Sequence, residues 1–436
     1  MKNDLQRAIE SYDNIEYEVF LQLNEETVKK ISKDQEPEWM LKHRLKSLKI
    51  FFEKHLPTWG PDLSVLNFDD FVYYAKPKKY ESVDNREKVP VEIKNKFERL
   101  IPEAERKYLA GAQMDSNNFY HQIKEKRSKK VIFEDLPEAL KNHSDLVEKY
   151  FMKLVPPADH KFAALHGAVW SGGTFIFIPK VKVDEPLQAY FRMNTYQFEH
   201  TLIVLEDDSQ DYIECSAPKY NKLSIHAGLV EIFVKNSQMR YSSVENRSTN
   251  TYNLNTKRAI VEDNSFMEWV SNLSCVAMLY PCSILKKNSK SDMLSVAVAS
   301  KQNQDISKVI HLENTSSSIV SKSISKDGIS TYRGLVDILE KAKNSINSTE
   351  CDALIVDSES TSNTIPVIRT LNDSSVVSHE AHAKINEEEI FYLMSRGIEK
   401  KKAVAMIVNF FSPIVKKLPL EYAELNKLIE MEMEAF

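Results

Sequence analysis

Glycine is scarce in this chain, 9 of 436 residues, where an ordinary protein carries about 7%. Neither a G-x-x-x-x-G-K-[ST] phosphate loop nor a G-x-G-x-x-G dinucleotide fingerprint occurs. Any dependence on ATP must therefore reside on another chain. Cysteine is sparse too: Cys215, Cys275, Cys282 and Cys351 are the four, and none forms a C-x-x-C pair. The opening M-K-N-D-L-Q-R-A-I-E lacks the apolar stretch of a secretory signal. Reduced thiols and a cytoplasmic location are the expectation, with Cys275 and Cys282 read as small buried apolar residues. The longest apolar run, Ala403 to Phe411, is broken by Asn409 and is too short to span a bilayer. Charge of one sign is also missing. With a net charge of −5, the chain has no basic field for nucleic acid. What remains is ordinary: 42% apolar and 28% charged residues, in a length that implies two or three units.

The first 150 residues read as mostly helical. In P-E-W-M-L-K-H-R-L-K-S-L-K-I-F-F, Leu41, Leu45, Leu48 and Phe52 fall on one stripe with basic residues opposite. Lys94 to Leu109 is a second charged helix candidate, interrupted at Pro102. From about Lys161 short β-rich runs follow one another, among them G-G-T-F-I-F-I-P, H-T-L-I-V-L-E, L-V-E-I-F-V and D-A-L-I-V-D-S. Their separators are rich in Asn, Asp, Ser and Lys. So many strands with no intervening helices exclude a doubly wound α/β fold. A sandwich, a propeller and a parallel β-helix remain, and no blade signature appears. Asn and Asp can take the left-handed turn conformations that glycine normally supplies, which suits a glycine-poor solenoid. Composition leaves sandwich and β-helix both open. The tail is helical again. Asn386 and Glu389 form a capping box, Gly397 is a natural C′ residue, and further helices cover Lys400 to Phe411 and the stretch after Pro419.

The stretch V-V-S-H-E-A-H-A-K-I, Val376 to Ile385, invites a zinc-hydrolase reading. A zincin box needs histidines at i and i+4 on a helix, whereas His379 and His382 are one residue too close and precede the helix. The residues alternate instead: Val377, His379, Ala381, Ala383 and Ile385 on one face, Ser378, Glu380, His382 and Lys384 on the other. On a strand the two histidines point opposite ways and cannot share an ion. His379 belongs to the apolar row, and His382 to the solvated one.

Longer motifs carry a family resemblance. V-P-P-A-D-H-K-F-A-A-L-H-G-A-V-W-S-G-G-T-F-I-F-I-P-K, P-L-Q-A-Y-F-R-M-N, Y-I-E-C-S-A-P, N-T-S-S-S-I-V-S-K-S-I-S-K, Y-R-G-L-V, E-C-D-A-L and F-Y-L-M-S-R-G-I resemble the SufB family of iron–sulfur cluster assembly scaffolds. So do E-P-E-W-M-L-K-H-R-L-K-S-L, W-G-P-D-L-S and I-P-E-A-E-R-K-Y-L-A-G-A-Q upstream. The resemblance covers nearly the whole chain, in order. It implies a mainly β fold with α: a right-handed parallel β-helix core, expected at 156–385, between an N-terminal helical domain at 1–155 and a C-terminal helical domain at 386–436. It implies a non-enzymatic scaffold that accepts sulfur from a donor of the SufE/SufS or SufU type. Such a scaffold assembles a transient iron–sulfur cluster, expected as 4Fe–4S, for apo acceptor proteins. The implied partners are a SufC-type ABC ATPase docked on the C-terminal helices and a SufD-like paralogue or a second copy of the chain. Reduced flavin on the assembled complex is a further implied cofactor, and the location would be bacterial cytosol or plastid stroma.

The same resemblance assigns residues. Cys351 matches the family's cluster and sulfur-accepting cysteine, with His379 and Glu380 as the nearby histidine and glutamate. Iron favours soft thiolate, and a nearby imidazole or cation would lower the thiol pKa. Because His379 and Glu380 are strand neighbours, both can serve one cluster only if the strand ends or bulges there. Cys215 matches the cysteine where sulfur arrives, and Arg192, Asn194 and Lys257 match polar positions along an interior route to Cys351. A buried lysine or arginine is costly unless paired. The chain departs from the family where Glu245, Asn246 and Arg247 replace Q-N-W, and where E-G-C is shortened to E-C before Cys215. Two other readings compete: a SufD-like structural paralogue, and a β-helix carbohydrate-active enzyme.

Overall fold

A computed structural model describes residues 17–77, 109–121 and 131–407, each span with short interruptions. Two sheets, one of ten strands and one of eleven, run side by side, and successive strands alternate between them. From Leu187–Arg192 to Val376–Ile385 the ladders are parallel. Parallel neighbours need a crossover, and here the crossover is the strand in the facing sheet. That is a parallel β-solenoid, and it removes the sandwich.

The turns differ in length. Glu262 and Lys286 pair across adjacent turns 24 residues apart, whereas Lys322 and Asp352 do so at 30. This variation hides the repeat from a sequence scan. The corners explain the missing glycine. Asp207, Asn236, Asn264, Asn288 and Asn344, at φ between 49° and 59°, each lie just before a strand of the ten-stranded sheet. Asp327, φ 55°, serves the opposite corner. Their side chains also link the turns: Asn236 Nδ2 donates to Asp207 Oδ1, and Asn288 Nδ2 to Asn264 Oδ1 at 3.3 Å. Asx side chains thus supply both the left-handed backbone and a hydrogen-bonded ladder.

Helices close the first turn. Helix Glu38–Glu53 packs on helix Lys161–Val169, but not through the expected stripe. Its buried residues are Met40, Arg44, Ser47, Leu48 and Phe51, and Phe52 is exposed. Small residues set the rotation, since a Cβ on Gly167 would come within 2.5 Å of Ser47 Oγ. The close approach carries Arg44 to the end of the second helix. There it donates to the carbonyls of Ala168 and Trp170, at 3.2 and 3.1 Å, and pairs with Glu36. A helix C-terminus leaves carbonyls unsatisfied and negative, so a buried cation belongs there. The connector after helix Ser144–Tyr150 is held by Glu231, whose carboxyl accepts the backbone N–H groups of Met152, Leu154 and Val155 at 2.5–2.9 Å.

Among the described residues, the N-terminal third carries strands as well as helices. Leu109–Met114, Asn117–His121 and Ile132–Asp135 are strands that extend the two sheets, and Tyr17–Phe20 pairs with Tyr74–Pro77. Residues 94–108 of the second helix candidate lie outside the described residues, and Leu109 opens a strand. At the other end, helix Glu387–Ser395 stops in a Schellman motif. Gly397, φ +85°, donates to Met394 O, and Ile398 to Leu393 O. Asn386 and most of the tail beyond Ala403 lie outside the described residues. No described helix is long and apolar enough to cross a membrane.

Candidate functional site

One apolar cluster runs from Phe133 through Ile203, Tyr241 and Trp269 to Tyr332 and Cys351. Cys351 marks its far end. On strand Ile346–Ile355 burial alternates: Asn347, Thr349, Cys351 and Ala353 face the interior, while Ile346, Ser348 and Glu350 are exposed. Cys351 lies between Ser321 on one neighbouring strand and Ala381 on the other, and His379 stands opposite Thr349. His379 and Cys351 therefore share the interior face, two ladder positions apart. The His379 ring stacks on Tyr332 from the facing sheet at 6.2 Å. Its Nε2 is buried without a hydrogen-bond partner, and burial lowers the ring's pKa. A neutral imidazole in that state can offer a lone pair to a metal.

Glu380 stands opposite Glu350 and is exposed. The ladder from Val376 to Ile385 has no register shift, so no bulge turns Glu380 inward beside His379. His382 is exposed, its Nδ1 lies 3.2 Å from Asp352 Oδ1, and Lys322 donates to the same carboxylate at 2.7 Å. It takes no part in the interior face.

The thiol itself differs from the expectation. Cys351 is pushed up to about 12, first by burial and then by Asp305, Asp352 and Glu350. The charges of these carboxylates act against the lowering that a nearby imidazole or cation would give. Asp305 was missed in the sequence. It is buried in strand Gln302–His311 of the facing sheet, accepting from Ser295, from Ser321 at 2.7 Å and from Ser307 at 3.5 Å. Burial raises its pKa. Ser321 is the link, since it bonds Asp305 and neighbours Cys351 in the ladder. A carboxylate inside a run of strand residues, Q-N-Q-D-I-S, was the only signal available.

Upstream, Lys257 is 1% exposed on strand Thr251–Val261. Its Nζ lies 3.9 Å from Glu214 Oε2 and 5.0 Å from the Tyr241 ring centroid, and the Tyr241 hydroxyl donates to Glu214. The lysine expected in the interior is there, and it is paired. Cys215 occupies strand Ser209–Ser216 between Tyr190 and Val244, directly after the buried Glu214. Arg192 ends strand Leu187–Arg192 opposite Met114. The side chains of Cys215 and Arg192, and Asn194, Asn246 and Arg247 as a whole, lie outside the described residues. Cys282 is 1% exposed, and burial raises its pKa, as suits a small core residue.

Comparison with known proteins gives the family. The family model described as SUF system FeS cluster assembly, SufBD core domain, matches residues 190–411, and that for the SufBD protein N-terminal region matches 15–189. An iron–sulfur cluster assembly SufBD family protein of Staphylococcus haemolyticus is 51% identical over 434 residues, covering 94% of this chain and 93% of its own. Homologues from Staphylococcus aureus and Staphylococcus epidermidis, at 51% and 50%, show the same coverage. The chain belongs to the SufBD family of iron–sulfur cluster assembly proteins.

Proposed function

We propose that this chain is the SufB-like scaffold of its assembly system, receiving sulfur and building a nascent cluster at Cys351 with His379 as a second ligand. The observation that carries the reading is their shared interior face at the last turns, with His379 Nε2 buried and unpartnered. The cluster is cargo. Mixed thiolate and imidazole ligation holds iron more loosely than four thiolates, which suits release. Sulfur transfer needs no net redox change. A Cys351 thiolate attacks the terminal sulfur of a persulfide, one S–S bond forms, another breaks, and the donor leaves as a thiolate. Because burial and three carboxylates keep the Cys351 thiol protonated in the chain alone, deprotonation has to accompany iron binding or partner docking. Asp305, bonded to Ser321 beside Cys351 in the ladder, is a buried carboxylate that could take the proton.

Partner docking has support at the same end. Among the described residues, Thr361–Thr370 and Val376–Ile385 each have one unpaired edge, and Val367, Ile368, Leu371 and Val376 are 47–61% exposed. Open strand edges pair readily, so a SufD-like paralogue or a second copy would extend both sheets there. Glu380, on the outer face of that rung, would then come to the cluster only in the assembled complex. On helix Glu387–Ser395, Phe391, Tyr392 and Met394 are exposed, as a docking helix for a SufC-type ATPase would be. A 4Fe–4S cluster, reduced flavin on the complex and a cytosolic location belong to the same reading. A SufD-like role without sulfur acceptance is the rival, and retention of both Cys215 and Cys351 speaks against it. Persulfide mapping by mass spectrometry after incubation with a desulfurase and its sulfur carrier decides. The scaffold reading expects persulfide on Cys215 and Cys351; an unmodified Cys351 favours the rival.

A further inference from the structure

Three buried donors converge inside the solenoid, apart from Cys351. Glu199 precedes strand His200–Glu206, Glu214 lies on Ser209–Ser216 and His226 ends Ser224–His226. One ligating atom from each lies within 4.8 Å of the others. Exposure is 3% for both glutamates and 0% for the histidine.

Hydrogen bonding fixes what the imidazole presents. Asn253 Oδ1 lies 2.7 Å from His226 Nδ1 and accepts its proton. His226 Nε2 faces Glu199 Oε1, where either a proton or a cation can join the two. An imidazole whose far nitrogen donates to a carbonyl-type oxygen is the usual posture of a metal-bound histidine. Two further observations point to an absent ligand. Glu199 Oε2 is buried with no hydrogen-bond partner. Gln197, the ladder neighbour of His226 and 1% exposed, has both side-chain polar atoms buried without partners. Gly228 completes the seat, because a Cβ there would come within 2.4 Å of Glu199 Oε1 and 3.0 Å of Asn255 Oδ1. One of the chain's few glycines is thus placed where the carboxylate requires it.

We propose that Glu199, Glu214 and His226 form a binding site for a single divalent transition-metal cation, with Gln197 beside it as a further oxygen donor. Mixed carboxylate and imidazole ligands suit Fe2+, Mn2+, Co2+ or Zn2+ better than a soft thiophilic ion. Lys257, 3.9 Å from Glu214, competes with the cation for that carboxylate and weakens the site. The proposal is independent of the role given to Cys351.

Co2+ is the probe, loaded anaerobically by equilibrium dialysis into the full chain carrying Cys351→Ser. A single equivalent is expected to bind with weak d–d absorption and no thiolate-to-metal charge-transfer band. Glu199→Gln and His226→Gln should each lower Co2+ affinity at least tenfold and abolish the rise in melting temperature that Co2+ gives the parent. Absence of Co2+ binding in the Cys351→Ser chain, or unchanged affinity in both folded variants, overturns the site and leaves a proton between Glu199 and His226. If the variants fail to fold, pulsed EPR of Mn2+ in the Cys351→Ser chain replaces them. Hyperfine coupling to an imidazole nitrogen supports the site, and its absence contradicts it.

Discussion

The two ends of the solenoid contrast. At the first turns, charged groups are enclosed and answered: Arg44 by two carbonyls and Glu36, Glu231 by three backbone N–H groups, Lys257 by Glu214. At the last turns, among the described residues, His379 Nε2 is unanswered, apolar side chains are exposed and two strand edges are open. A helical cap answers those groups at one end, though Glu199 Oε2 and the Gln197 amide there keep no partner. At the other, among the described residues, His379 Nε2 is left without a partner, and this is the end where the proposed scaffold role puts cargo and partners.

Glycine substitutions test the contrast most strongly. Gly173, φ +102°, sits where a Cβ would approach the His200 carbonyl oxygen to 2.0 Å, a backbone atom that cannot rotate away. Gly397, φ +85°, has nothing within 4 Å. Gly173→Ala should therefore cost more than about 4 kcal/mol and threaten folding, while Gly397→Ala costs only the left-handed strain, about 1 kcal/mol. Urea unfolding of the two variants compares them, and similar losses would erase the distinction between the ends.

The closed end should also carry a pH signature. His166 Nδ1 donates to Ala227 O, so its Nε2 accepts from His200 Nδ1 at 3.1 Å, leaving His200 Nε2 facing Glu231 Oε2 at 3.2 Å. Burial raises Glu231 to about 7 and lowers His200 to about 3, which places the shared proton on the carboxyl. A folded-state acid pKa above its unfolded value contributes stability at low pH that is lost as pH rises from about 4.5 through 7. The shift corresponds to about 3 kcal/mol. His200 acts in the opposite sense, its neutral form being lost as pH falls from 6.5 toward 3. Glu231→Gln removes the ionisation but sets an amide N–H against the backbone N–H of Met152 or those of Leu154 and Val155, so a loss of stability at every pH is expected. From pH 5.5 to 8 the parent's melting temperature should fall relative to the variant's, the histidine contribution being common to both; parallel curves would remove Glu231 as the cause.

The smallest effect belongs to the outer face of the open end. His382 shares Asp352 with Lys322 and is exposed. Such pairs contribute about 0–1 kcal/mol, so His382→Ala should change neither unfolding nor cluster yield appreciably. A lost cluster would return His382 to the site.

Much of this was readable where local rules decide. Alternation from Val377 to Ile385, the stop at Gly397 and the Asn and Asp corners all depend on neighbours within a few residues. The shift of the Glu38–Glu53 stripe did not show, because it depends on Gly167, far along the chain, admitting Ser47. Asp305 did not show either. With turns of 24 to 32 residues, nothing in the sequence says which strand stands opposite Cys351. The elevated thiol pKa follows from that same unread contact. Strand alternation did anticipate the separation of Glu380 from His379, and the unbroken ladder shows it.

The central claim is that Cys351 holds the cluster. Anaerobic reconstitution of the purified complex with iron and sulfide, followed by visible absorbance and bound iron, tests it directly. The account predicts a strong cluster band in the parent, a nearly complete loss in Cys351→Ala and a partial loss in His379→Ala. A normal cluster in Cys351→Ala would contradict it.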